Sequence, residues 1–306
     1  MASSYGRWIS KKVSAGFGAD RASIELRLDE ICDRHLAPIP NEIADAIRYG
    51  LKSPGKRIRP LLLQFAYRAA GGARDASLLA CAPEVIHAYS LIHDDLPCMD
   101  DDAMRRGRPT VHKVFGSKTA ILAGVAMIPL AARVVRAATL QMELRQACVE
   151  TLLATLMEAG GPAGMIGGQL SDLGGEGLSL SLYDREAIHS AKTGALIVAS
   201  VRMGALAAGA ERAQVEALER YGQAVGLAFQ ITDDVLDVTS SSKAMGKATG
   251  RDAILQKSTY PALLGVEGAR RRAQSLVDVA LEGLAERGLL TQELSQVANF
   301  MVTRTS

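Results

Sequence analysis

Five aspartates fall within nine positions of the stretch SLIHDDLPCMDDDAMRRGRPT, at Asp94, Asp95, Asp100, Asp101 and Asp102, and three arginines follow, Arg105, Arg106 and Arg108. The commonest meaning of such a charge run is a solvated face. The flanks argue otherwise: in PEVIHAYSLIH, Val85, Ala88, Leu91 and Ile92 recur at helical spacing, so one side of the segment faces a core. Carboxylates on the end of a half-buried helix carry a desolvation and repulsion cost that a cation among the oxygens relieves. A divalent metal is the economical candidate.

A second acidic cluster lies in FQITDDVLDV, with Asp233, Asp234 and Asp237. Asp233 and Asp237 are four apart, which puts both on one helix face a turn from each other. Asp94 and Asp100 are six apart and on a regular helix would diverge by about 240°. The chain must therefore deform between them, and Pro97 suits that because it removes a backbone donor. Neither cluster has the alternating ligands and central glycine of a calcium loop. Two acidic helix ends facing each other would hold hard cations, and magnesium completes a shell of one or two carboxylates with water and phosphate oxygens. A polyphosphate is the matching guest. SPGKRIRP offers Lys56, Arg57 and Arg59, and RRGRP offers Arg105, Arg106 and Arg108; arginine forks suit phosphate oxygens. Taken alone, the first basic cluster reads as the solvated start of a helix, with Pro60 in its first turn.

The elements that must position these residues are helices. Ala, Leu, Glu, Arg and Gln dominate, and EVIHAYSLIHDD, REAIHSAKTGALIVASVRMGALA and VEALERYGQAVGLAFQITDDVLDV keep a period near 3.6. The alternation in GLSLSLYD is short and begins among glycines, so it reads as a loop leading to a helix that starts near Asp184. The expected fold is all-α, a large bundle. No linker or repeat divides the 306 residues, which are expected to form a single domain (1–306) behind a flexible tail (1–20). The Ser-rich opening, with three basic residues and no acid before Asp20, also has a weak likeness to a transit peptide.

A net charge of +2 and 4% aromatic residues argue against a nucleic-acid surface, while 48% hydrophobic residues are ample for a core. Cys32, Cys81, Cys98 and Cys148 are widely spaced and read as reduced thiols of a cytoplasmic protein. The apolar run TAILAGVAMIPLAA is too short to span a bilayer and is followed by Arg133, so no membrane span is expected.

Taken in order, GKRIRP, IHAYSLIHDDLPCMDDDAMRRGRPT, GGQLSDL, AKTGALI, FQITDDVLDV and KSTYPALLG closely resemble the bacterial short-chain trans-prenyl diphosphate synthases, over most of the chain. The resemblance implies an isoprenoid synthase fold, all-helical around a deep apolar pocket, and a homodimer. It implies that three Mg²⁺ ions hold the diphosphate of an allylic substrate, that the C–O bond ionises, and that the double bond of isopentenyl diphosphate attacks the cation. Proton loss then gives a product five carbons longer, with released pyrophosphate as the base.

Carried over by motif position, Asp94 and Asp100 bind two of the ions and Asp233 the third, with Asp95, Asp101, Asp234 and Asp237 as partial or outer ligands. Arg105, Lys192 and Lys247 hold the allylic diphosphate. Gly55, Lys56, Arg59, His87 and Arg106, with Lys257 nearby, hold the isopentenyl diphosphate. Gly194 weakens its helix, and the resemblance implies that this break turns the Lys192 and Thr193 carbonyls, with the Gln230 side chain, towards the cation. Gln169 and Asp172 line the pocket or belong to the scaffold. His87, seven residues before Asp94, lies two turns below it on almost the same face; a lone helix histidine is otherwise a packing residue.

One departure stands out: Val125 replaces an acid that the family usually has in LAGVAMIPLA, and a local packing or capping change is expected there. A non-catalytic partner subunit would have lost an aspartate motif, and a terpene cyclase would lack GKRIRP; both features are intact. The resemblance implies that the residue five before the first aspartate, here Tyr89, faces the growing hydrocarbon tail and sets product length. The helical rise puts Tyr89 about 7.5 Å along the helix from Asp94, though its angular offset alone would not single it out. As the floor of the pocket it implies a fifteen-carbon product, farnesyl diphosphate, with geranylgeranyl diphosphate as the alternative; otherwise it is a core tyrosine.

Overall fold

The computed structural model describes residues 17–175, 178, 180–239 and 259–304. The chain runs through α1 (Gly18–His35), α2 (Asn41–Leu51), α3 (Ile58–Ala69), α4 (Ser77–Asp94), a two-residue ribbon of β1 (Met104–Arg105) and β2 (Arg108–Pro109), α5 (Val111–Phe115), α6 (Ser117–Gln141), α7 (Gln146–Gly160), α8 (Met165–Gly174), α9 (Leu182–His189), a π-helical turn (Ser190–Gly194), α10 (Ala195–Ala208), α11 (Arg212–Thr239), α12 (Tyr260–Ala285) and α13 (Gln292–Thr303). The all-α expectation holds; the ribbon, Met104 opposite Pro109 and Arg105 opposite Arg108, is a small exception within the arginine-rich loop.

Burial explains the layering. In α3 every residue from Pro60 to Tyr67 is buried, and in α4 every residue from Ser77 to Ile86 is. Helices apolar on all sides belong at a bundle's centre. There α4 packs on α6, α3 packs on α10, and α11 lies between α10 and α12. Deep burial of α4 carries its last turn, and with it Asp94, to the rim of the core.

Local signals set several boundaries. Ser181 caps α9 by accepting from the Asp184 backbone N–H while Asp184 reaches back, a capping box that starts the helix at Leu182, two residues before the expected point. Within the span expected as a tail, α1 begins at Gly18: Phe17 is buried against Phe65 and Asp20 pairs with Arg68 at 2.9 Å. Residues 1–16 lie outside the described residues. Two helical stretches, Ser117–Gln141 and Leu182–Ala208, are long and apolar enough to cross a membrane by length and composition, more than the apolar run alone indicated, and both pack within the bundle.

Candidate active site

The last turn of α4 delivers Asp94 and Asp95 side by side, and the chain then breaks as expected around Pro97. The Asp100 N–H donates to the Asp94 carbonyl at 2.9 Å and the Asp101 N–H to the Leu96 carbonyl at 3.0 Å, so the loop folds back on the helix end. This return brings Asp100 to Asp94. Burial chiefly, with Asp100 adding repulsion against the opposing pull of Lys192, raises the Asp94 carboxyl to about 6. Asp95 is buried and accepts from Arg105 at 2.7 Å, while Asp102 stands 3.7 Å from the same guanidinium. Asp101, at φ 49°, is exposed and stands 3.8 Å from Lys113.

On α11 the second cluster divides in two directions. Asp233 is half-buried and accepts from Arg304 at 2.8 Å. Asp234 is buried, accepts from the Tyr260 backbone N–H at 3.1 Å and faces Arg185 at 4.0 Å. Asp237 is half-buried one turn further on. Arg304 was invisible to sequence reasoning because it lies just past α13, far from any motif. Its guanidinium is buried over the Phe229 ring at 3.9 Å and donates to the Phe229 carbonyl at 2.7 Å.

Between the clusters runs the segment after α9. An added Cβ on Gly168 would lie 2.2 Å from the Lys192 nitrogen, so only glycine lets α8 approach this turn so closely. The π turn carries Lys192 and Thr193, both half-buried, and realises the weakness read at Gly194. Lys192 Nζ donates to Asp172 at 2.7 Å, and it also acts electrostatically on Asp94. Gln169 and Asp172 are both buried, Gln169 with neither amide atom partnered among the described residues. Gln230 is half-buried on α11.

The basic residues form a second centre. Arg57 leaves it: at φ 53° its buried side chain turns inward to Glu84 (2.8 Å), Glu25 (2.8 Å) and the Leu51 carbonyl (3.2 Å). Lys56, Arg59, His87 and Arg106 remain together. Gly55 abuts Arg106, since a Cβ there would sit 2.6 Å from its Nη1, and Arg106 donates to the Pro54 carbonyl at 2.9 Å. Burial pushes the Lys56 ammonium down to about 8, with Arg304 and Arg106 adding repulsion and Asp233 opposing it. Its side chain is exposed, and the ammonium sits 5.4 Å from the centre of the Phe300 ring. Burial lowers the Arg59 guanidinium to about 10. Burial and then four arginines hold His87 well below its ordinary value, so it is a neutral imidazole with one N–H to donate. Arg105 bonds Asp95 instead, at the edge of this centre. Lys247 and Lys257 lie outside the described residues.

Tyr89 is buried, its ring edge-on to His93 at 4.9 Å between centroids. Val125 is 53% exposed in mid-helix on α6, away from either cap and beside exposed Ile121 and Leu122. Among the described residues no three carboxylate, histidine or cysteine side chains converge tightly enough to hold a metal by themselves. Hard oxygen donors, one carboxyl among them raised chiefly by burial, still fit a divalent cation whose shell is completed by phosphate oxygens.

A family model described as polyprenyl synthetase matches residues 40–295. Among curated relatives, farnesyl diphosphate synthase of Escherichia coli (strain K12) is 44% identical, with 90% of this chain and 95% of the relative covered. Geranylgeranyl diphosphate synthase of Cyanophora paradoxa is 42% identical, with 87% and 89% covered. Among solved structures, geranyltransferase from Helicobacter pylori, complexed with magnesium and isoprenyl diphosphate, superposes with a TM-score of 0.79 at 32% identity, covering 93% of this chain and 95% of that one.

Proposed function

This chain belongs to the polyprenyl synthetase family and is a short-chain prenyl diphosphate synthase, and we propose that it condenses isopentenyl diphosphate with dimethylallyl or geranyl diphosphate to give chiefly farnesyl diphosphate. The observation that carries the reading is the pairing of two centres. At the end of α4, Asp94 lies within electrostatic reach of Lys192, and near the end of α11, Asp233 acts on Lys56, which stands with Arg59, Arg106 and the neutral His87.

Asp94, Asp100 and Asp233 would hold magnesium, three ions in all once a diphosphate is bound, with Asp95, Asp101, Asp234 and Asp237 in supporting places. Magnesium supplies Lewis-acid stabilisation of the negative charge on a departing diphosphate. Arg105, Lys192 and Lys247 take the allylic diphosphate. Gly55 lets the backbone approach the isopentenyl diphosphate, which Lys56, Arg59, Arg106 and Lys257 hold as cations and the neutral His87 as a donor. As the allylic C–O bond breaks, the carbonyls of the π turn and Gln230 face the carbocation, the isopentenyl double bond attacks it, and the departing pyrophosphate takes the proton. No covalent enzyme intermediate is needed. The work is positioning and electrostatics.

The chain acts as a single domain (1–306) and a homodimer, in a cytoplasm whose reducing state suits the free cysteines Cys32, Cys81, Cys98 and Cys148. The bulky, buried Tyr89 supports farnesyl diphosphate as the product, in a reading that makes it the floor of the pocket. The test is a magnesium-dependent assay with geranyl and isopentenyl diphosphates, followed by chromatography of the dephosphorylated products. Fifteen-carbon alcohol from the wild type and longer products from Tyr89→Ala are expected. A mainly twenty-carbon wild-type product, or an unchanged profile in the variant, overturns the product assignment.

A further inference from the structure

Arg185 stands outside every motif quoted above, yet it is one of the most buried cations of the described residues. Its side chain is 5% exposed and lies between two buried carboxylates. Nη1 is 3.4 Å from one oxygen of Asp172, Nη2 is 4.0 Å from Asp234, and Nε has no hydrogen-bond partner among the described residues. Charge-assisted contacts of this kind normally close to about 2.7–2.9 Å. A desolvated guanidinium is thus held at arm's length from both acids. The other oxygen of Asp172 is taken by Lys192 at 2.7 Å.

We propose that Arg185 is a positioning residue that takes over the charge of Asp172 when Lys192 leaves it for the allylic diphosphate; this rests on the reading of Lys192 as a diphosphate ligand. Lys192 has three N–H donors but a single charge, and a diphosphate that draws the ammonium to itself weakens the lysine's hold on Asp172. Its departure would strip a close cationic partner from a carboxylate that is 7% exposed, and burial makes such a loss costly. Arg185 already faces the same carboxyl, and its fork presents separate N–H groups to Asp172 and to Asp234, so closing the 3.4 Å contact compensates the first without abandoning the second. Asp234 is also anchored by the Tyr260 N–H, so the arginine can shift while the second aspartate motif stays in place. Without Arg185, Asp172 would grip Lys192, and the allylic substrate would have to compete for it.

The test is steady-state kinetics with geranyl and isopentenyl diphosphates at saturating Mg²⁺, with circular dichroism melts, for the wild type, Lys192→Ala, Arg185→Leu, Arg185→Lys and the double variant Arg185→Leu/Asp172→Asn. Arg185→Leu is expected to raise KM for geranyl diphosphate about tenfold while KM for isopentenyl diphosphate moves less than about twofold, with Arg185→Lys between. The double variant should recover most of the loss, because a neutral amide no longer restrains Lys192. If Arg185→Leu does not fold, Arg185→Gln replaces it with the same expectations. Equal changes in both KM values, an unchanged geranyl KM, or a double variant worse than the single one overturns the proposal. A Lys192→Ala enzyme with a normal geranyl KM would instead show that the assignment of Lys192 had failed.

Discussion

Asp94 is held in an unfavourable ionisation state by its surroundings, and the sign of the effect is measurable. Burial, opposed by Lys192 and reinforced by Asp100, raises its carboxyl to about 6, so the folded protein keeps this proton to higher pH than the unfolded chain does. The associated stability is fully present below the ordinary carboxylate range and is lost as pH rises through about 6. In metal-free protein, Asp94→Asn should therefore gain on the wild type between about pH 3 and pH 7, by an amount on the order of 3 kcal/mol in denaturant unfolding. A difference independent of pH would remove Asp94 from its crowded setting. At neutral pH the same variant should lose turnover by orders of magnitude, with its circular dichroism spectrum intact. Lys56 shifts the other way. With its ammonium lowered to about 8, it loses its charge above that pH, and kcat/KM for isopentenyl diphosphate should fall there while that for geranyl diphosphate holds. The former profile reports the free enzyme. Parallel profiles for the two substrates would contradict the separate phosphate centres.

Helical periodicity made most of the elements legible, and motif spacing located the two aspartate clusters. What spacing left open was how the chain leaves a helix. The 240° divergence of Asp94 and Asp100 pointed to a break, but the return through the Asp100 N–H to the Asp94 carbonyl is a backbone arrangement no side-chain pattern encodes. The inward turn of Arg57 was hidden for a related reason: Lys56, Arg57 and Arg59 have like charge, and only the left-handed backbone at Arg57 and the buried Glu84 separate one from the others. Arg185 and Arg304 were missed because each meets its acids on other helices, with no local signal. The α8 contact with the π turn was half legible, as a glycine pair and a weakened helix whose meeting had no sequence signature. It yields a direct test. Gly168→Ala places a Cβ 2.2 Å from the Lys192 nitrogen and 2.6 Å from its Cα, so the two segments must separate. A stability loss of about 1–3 kcal/mol in denaturant unfolding is expected, together with a fall in kcat at 25 °C where the variant is still folded. Normal kcat in a destabilised variant would mean that the position of Lys192 tolerates the shift.

At the scale of the whole molecule, α6 joins the catalytic centre to the outside. Its inner face, with Ala120, Ala123, Met127, Leu130, Ala131 and Val134, packs into the core against α4 and α2. On the outside, Ile121, Leu122 and Val125 are 42%, 53% and 53% exposed at the spacing of one helix face. Apolar side chains exposed together on one helix face suit a contact with another protein surface, and Val125, where the resemblance leads one to expect an acid, adds to them. The same helix braces the first aspartate motif from behind: His93, next to Asp94, bonds the Ile121 carbonyl at 3.2 Å and lies against Gly124, where a Cβ would fall 2.2 Å from its ring. If a second copy of the chain covers the stripe, dimerisation holds α6 in place and α6 holds His93 against the end of α4. Leu122→Arg puts a charge in the middle of that face without touching any residue of the core. Sedimentation velocity should then report a monomer where the wild type sediments as a dimer, and turnover should fall although the variant keeps its helical spectrum, because the support behind Asp94 has loosened. A variant that remains dimeric places the interface on another face. A monomer with wild-type turnover separates assembly from the geometry of the aspartates.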